Sequence, residues 1–274
     1  MNSSIANRCR VLKNRFYNNS WEKSVDHSLN DNLFMAYKNS DAIHTQVYLD
    51  SDDVRLAIAT EVKREGYIVL PNVFSGEILN KFQSEFRELI DTADKSRYTV
   101  DRKDTTICVR VEPRESLDIK KYPVTAAFFG AKALNDISGY FYNESENGYY
   151  LNNEIFVHET PETDAPLSGA MHWDRAQTLK FWIYIDDLPE EAGPMRLEKG
   201  AVEKNRAIRI NKHSAMTKLT GGVDNVVEVD DRNVVPLTGL AGSIMIHDTD
   251  ASHGASQVKH GYVRRIMRGH SRAK

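Results

Sequence analysis

The chain has 274 residues, 41% of them hydrophobic and 27% charged, with a formal net charge of −3. That length suits a single barrel or sandwich core, the balanced charge offers no basic surface for nucleic acid, and no apolar run approaches a membrane span. Two cysteines, Cys9 and Cys108, exclude a disulfide framework, and Met1 to Arg8 lack the apolar core of a secretory signal, so the cytoplasm is the expected compartment.

Residues 1–52 are rich in Asn and Ser, with Phe16, Tyr17, Trp21, Phe34 and Tyr37 scattered among them. The aromatics argue against full disorder. This stretch reads as a partly helical N-terminal extension that wraps the core or contributes to a dimer. No Pro/Gly-rich linker follows it, so residues 53–274 read as one domain, and monomer and homodimer both stay open. Val54 to Arg64 is apolar at helical spacing and stops at Gly66. Ser75 is placed to cap a second helix, with Glu77 in its first turn. Ile78, Leu79, Phe82, Phe86, Leu89 and Ile90 then form one apolar stripe, expected to pack on a sheet.

From Thr105 onward short strand-like runs dominate. They are Thr106 to Val111, Tyr150 to Val157, Leu179 to Asp186, Ala207 to Ile210, Val226 to Val229, Val234-Val235, Gly242 to Ile246 and Tyr262 to Met267. Many short strands with turns between them suggest a jelly roll. The expected class is α+β, mainly β: a double-stranded β-helix (jelly roll, cupin-like) core with N-terminal helices packed on it.

His172-Trp173-Asp174 is the most informative local feature. Positions i and i+2 of a strand share a face, so His172 and Asp174 can bind one metal ion with Trp173 turned away. With 9 His and 39 acidic residues, chance alone gives about 1.3 His-x-Asp/Glu triplets, and the chain has one. The triplet therefore needs a third ligand and an anion anchor. His253 and Arg264 supply candidates. Two imidazoles and a carboxylate form the facial set that suits Fe(II) with open positions, and a guanidinium forks onto a carboxylate. His247, Asp248 and Asp250 are rivals to His253, with His247 expected to cap a turn, and Arg265 is a rival to Arg264. His158 is expected to be a satisfied structural side chain, and His213, His260 and His270 surface residues.

Four stretches in order resemble the phytanoyl-CoA dioxygenase-like family of Fe(II)/2-oxoglutarate oxygenases, from about Glu61 to about Met267. They are Glu65 to Leu70; His172-Trp173-Asp174-Arg175; Phe181-Trp182-Ile183 through Asp187 to Arg196; and Ser252 to Ser256 followed by Arg264-Arg265. The resemblance implies iron held by His172, Asp174 and His253, with 2-oxoglutarate and O₂ as co-substrates. It implies Arg264, Trp182 and Ser256 at the co-substrate. The implied reaction is hydroxylation of a small molecule, with 2-oxoglutarate decarboxylated to succinate and CO₂. Asp174 is not replaced by Gly or Ala, so no halide site opens. Two departures stand out: Ala255 where a hydroxyl residue is usual, and Gly200-Ala201-Val202, expected to remain a loop. Arg110, Asn153, Trp173, Arg175 and Arg196 lie near the expected mouth and would suit an anionic group on the substrate. A non-catalytic jelly-roll module and a cupin-like metalloenzyme independent of 2-oxoglutarate are the alternatives.

Overall fold

The computed structural model describes residues 52–91, 99–103, 106–112, 116–143, 148–151, 154–163, 170–174, 176–209 and 225–273. The expected N-terminal extension lies outside the described residues. Helix α1 (Asp52–Glu65) and strand β1 (Tyr67–Leu70) open the fold, followed by α2 (Gly76–Asp91). Strands β2 (Thr99–Lys103) and β3 (Thr106–Val111) lead to helices α3 (Pro123–Phe129) and α4 (Lys132–Tyr142). Strands β4 (Tyr149–Leu151), β5 (Ile155–Thr160), β6 (His172–Trp173), β7 (Thr178–Tyr184) and β8 (Met195–Glu198) follow. Residues 201–209 are helical (α5), and β9 (Asn225–Val226), β10 (Val234–Pro236), β11 (Ile244–Asp248), β12 (His253–Ala255) and β13 (Arg264–Ala273) complete the chain.

Two antiparallel sheets result. The larger runs β1-β11-β7-β13-β5-β3-β2, with β4 also on β13, and the smaller runs β10-β8-β12-β6-β9. From β5 to β13 the chain passes repeatedly from one sheet to the other, which is the winding of a double-stranded β-helix. Alternation along β13 shows how each face is used. Met267 joins the core under the helices, with Phe82, Phe86, Phe128 and Ile137. Ile266 joins the core between the sheets, with Trp182, Tyr184, Leu197 and Met245. The apolar stripe of α2 packs as its spacing predicts, and Phe74, Phe82 and Phe128 meet with centroids 5.0–5.9 Å apart.

Gly66 ends α1 with φ +89° and donates its N–H to Val62. A Cβ there would lie 2.8 Å from both Ala251 and Val202, so only glycine lets the chain turn against the loop that precedes β12.

Three local expectations change. Tyr150 to Val157 divides into β4 and β5, which pair separately with β13. The 207–209 segment is helical rather than a strand, and the 201–202 segment begins that helix instead of staying a loop. The reason is tertiary. Asn205 donates to the Asp250 carbonyl and to Ser252, Arg206 pairs with Asp248 at 2.8 Å, and Arg209 pairs with Asp250. Ala201 and Val202 are buried beneath. Two helices, α3 and α4, were not anticipated.

Asp248 and Asp250 are fully buried. Burial, then the neighbouring Asp250 charge, raises the Asp248 carboxyl from 3.8 to about 6. A carboxyl that holds its proton more tightly in the folded state stabilises the fold at low pH. That contribution is full below about pH 4 and is lost as pH rises through about 6. Asp248→Asn should therefore flatten the change in melting temperature over that window, as calorimetry at stepped pH would read. An unchanged slope would assign the titration to another group.

Candidate metal centre

Strands β6, β7 and β12 bring the centre together. His253 pairs directly with His172 across β12 and β6, and their rings approach with centroids 4.7 Å apart. Asp174 follows β6, and its backbone is tied down twice: its N–H donates to the Thr249 carbonyl at 3.0 Å, and its carbonyl accepts from Arg209 Nη2 at 2.6 Å. Thr249 is itself fixed, since its Oγ1 accepts from the Thr178 N–H and its N–H donates to the Thr178 carbonyl. Asp174 Oδ1 lies 3.3 Å from His253 Nε2 and 3.8 Å from His172 Nε2. One ligand atom from each residue lies within 4.8 Å of the others.

The donor chemistry fits a divalent metal. His172 Nδ1 lies 3.2 Å from the Ala170 carbonyl, and His253 Nδ1 lies 2.9 Å from the Ala251 carbonyl. A carbonyl only accepts, so each Nδ1 carries the proton and each Nε2 presents its lone pair to the centre. Burial lowers the His253 pKa and keeps the ring neutral, as a ligand requires. Burial alone would raise the Asp174 carboxyl. The Lys180 charge and hydrogen bond oppose it, and the group lies well below the usual carboxylate range. Lys180 Nζ sits 2.8 Å from Asp174 Oδ2, which leaves Oδ1 to the centre. Two imidazoles and one anionic oxygen are the set an open-sided Fe(II) site uses.

His247 is not at a strand edge capping a turn. It lies within β11, fully buried between Tyr67 and Lys180 in register, and its Nδ1 accepts from Trp182 Nε1 at 3.1 Å. That bond ties it to Trp182, and its Nε2 is buried without a partner. Among the described residues the metal-holding group consists of His172, Asp174 and His253, without His247.

The inner face of the large sheet carries the other charged side chains. Arg264 points inward with Ile266 and donates Nη1 to the Gly193 carbonyl at 3.2 Å, while its Nε is buried without a partner. Burial, then the Arg268 charge, pushes its pKa down to about 10. Arg265 takes the opposite face and pairs with Glu159 at 2.7 Å and Asp186 at 2.8 Å. Ala255 stays in phase with His253, opposite Met195. Ser256 stands one residue past β12, its N–H donating to the Pro194 carbonyl beside the Gly193 turn.

Arg110 lies on the inner face of β3 and pairs with Glu112 and Glu154. Trp173 is turned away from His172 and buried, with the Arg209 guanidinium 4.8 Å from its ring. Its phase on β6 sets its ring against Arg209 of α5. Asn153 and Arg175 lie outside the described residues, as does His213. His260 is exposed, whereas His270 is not a surface residue: its side chain lies on the inner face of β13, 3.6 Å from Glu154. His158 also faces inward, stacked on Phe156 at 5.9 Å.

Lys180 and Arg268 were missed. Lys180 had a visible signal, since a lysine inside the apolar run Leu179 to Tyr184, in phase with Trp182, must have a buried use. Asp174→Ala should lower Fe(II) affinity at least tenfold by anaerobic calorimetry, and His253→Ala should do the same while His247→Ala leaves it within about twofold. Near-normal binding by the first two variants would remove the triad.

Comparison with known proteins agrees with this geometry. The family model described as phytanoyl-CoA dioxygenase (PhyH) matches residues 62–266. No curated protein gives a significant match. Among solved structures, the non-heme alpha ketoglutarate dependent epimerase SnoN from nogalamycin biosynthesis is 15% identical, with a TM-score of 0.54, covering 81% of this chain and 83% of its own. EctD from S. alaskensis is 15% identical at TM-score 0.55, covering 78% and 75%. AviO1 from Streptomyces viridochromogenes Tue57 is 18% identical at 0.51, covering 80% and 94%. At these identities the likeness establishes the jelly-roll fold. The family match spans well over half of the chain and includes the triad and Arg264, so the chain belongs to the phytanoyl-CoA dioxygenase family of 2-oxoglutarate-dependent non-heme iron enzymes.

Proposed function

We propose that this enzyme is a dioxygenase that hydroxylates a small-molecule metabolite in the cytoplasm, consuming O₂ and 2-oxoglutarate and releasing succinate and CO₂. The observation that carries the reading is the convergence of His172, Asp174 and His253 within 4.8 Å, with Asp174 ionised and its carboxylate present to complete the triad. A retained carboxylate leaves no position for a halide, which favours oxygen transfer.

His172 Nε2, His253 Nε2 and Asp174 Oδ1 would hold the iron from one side. Iron and 2-oxoglutarate together supply the activation of O₂ when bound. Arg264 would take the far carboxylate of 2-oxoglutarate, because its buried Nε is unpartnered and its guanidinium has no carboxylate partner among the described residues. Thr160, directly opposite Arg264 in register, has a buried Oγ1 without a partner and would add a hydroxyl there. Ser256 beside the Gly193 turn is the other hydroxyl proposed for that carboxylate. Lys180 fixes the second Asp174 oxygen, and Trp182 is held in place by its bond to His247. The neighbours include an epimerase and a carbocyclase, so the fold by itself leaves the oxidative outcome open.

Anaerobic addition of Fe(II) and 2-oxoglutarate should produce a visible charge-transfer band that requires both. Arg264→Lys should raise the 2-oxoglutarate Kd about tenfold or more, because a point charge replaces a fork. Iron binding without the band would favour an enzyme independent of 2-oxoglutarate. An unchanged Kd would move the anchor to another cation.

A further inference from the structure

The large sheet carries an inward-facing cation that neither the metal centre nor the co-substrate anchor uses. Arg110, Phe156, Arg268 and Trp182 stand in one row across β3, β5, β13 and β7. The Arg268 guanidinium lies 4.1 Å from the Phe156 centroid and 5.5 Å from that of Trp182. Arg110 shares the Phe156 ring at 5.5 Å.

The two arginines differ in what neutralises them. Arg110 has Glu112 and Glu154, and His270 also turns to Glu154. Arg268 forms no ion pair with any described carboxylate, and its Nε is buried without a partner. Arg268 is partly buried, and two aromatic rings offset only part of the cost of desolvating a guanidinium that has no ion-pair partner. Asp174 and Glu154 favour the charged form of Arg268 without forming an ion pair with it, and Arg110 opposes it. Rings against the guanidinium leave its edge free, and that edge is the part that forks onto a carboxylate or phosphate. Arg264 lies four residues earlier on the same face, about 13 Å away along the strand. One cation is thus assigned to 2-oxoglutarate and the other is left for a second anion.

We propose that Arg268 is the substrate anchor, and that the substrate is a small organic anion whose carboxylate or phosphate pairs with Arg268 between Phe156 and Trp182. This rests on the oxygenase reading above. His158 and Cys108, opposite each other in the neighbouring row, line the same wall. Burial, then the Arg268 and Arg264 charges, keeps the His158 ring neutral, so it contributes hydrogen bonding and not a second positive charge.

The test uses the full chain, substituted with Zn(II) and loaded with 2-oxoglutarate so that no turnover occurs. Tryptophan fluorescence is followed during titration with benzoate and, separately, with inorganic phosphate, at constant ionic strength. Saturable binding of at least one probe is expected. Arg268→Gln should weaken it tenfold or more and Arg268→Lys by less, with 2-oxoglutarate affinity unchanged within about twofold in both. Benzoate alone would identify a carboxylate substrate, and phosphate alone a phosphorylated one. Equal probe affinity in wild type and Arg268→Gln overturns the proposal. So does the absence of saturable binding to wild type, or a loss of 2-oxoglutarate affinity in place of probe affinity. Should Arg268→Gln lose its cooperative melt, Arg268→Lys keeps the charge and carries the comparison. The Fe(II)–2-oxoglutarate band separates the two readings: a band without anion binding removes only the anchor, and no band removes the oxygenase reading itself.

Discussion

The whole centre depends on holding Asp174 still. A carboxylate beside two imidazoles is a ligand only if its backbone cannot swing it into solvent. Two main-chain bonds prevent that, one from Asp174 N–H to Thr249 and one from Arg209 to the Asp174 carbonyl. Thr249 sits at the end of β11, and Arg209 on α5, so the small sheet, the large sheet and a helix all meet at one residue. The same turn supplies Ala251, whose carbonyl sets the tautomer of His253. Metal geometry is thus an outcome of how the 248–252 turn is packed, which is why Gly66 must lie against Ala251 without a side chain.

That turn is held by charge in a dry place. Asp248 and Asp250 are buried and face Arg206 and Arg209 from α5. Paired charges in a low-dielectric interior add little net stability compared with apolar packing, yet they are costly to break singly. Such an arrangement serves position more than stability. It specifies where α5 docks and, through Arg209, where Asp174 stands.

The cavity is asymmetric in charge. Lys180, Arg264 and Arg268 face inward against Asp174, and Arg110 is neutralised by its own glutamates. Lys180 pairs with Asp174, and after burial the Arg268 charge disfavours the charged form of Arg264.

Much of this was legible in local patterns. Short strand-like runs found β3, β7, β11 and β13, helical spacing found α1 and α2, and the His172-x-Asp174 triplet with His253 named side chains whose ligand atoms lie within 4.8 Å of one another. These signals are local, because a strand's two faces and a helix's stripe are set by neighbours in the chain. Tertiary structure decided the rest. Residues 207–209 are helical because the distant Asp250 binds Arg209, whose guanidinium also lies over the Trp173 ring. Arg264 rather than Arg265 faces the centre because Glu159 and Asp186 take the other face. Among the described residues Arg268 has no ion pair, because register across three strands sets rings, not carboxylates, on either side of it. Which partner a charged side chain finds is a property of strands that meet across long sequence separations, and no window of the chain contains both members of such a pair.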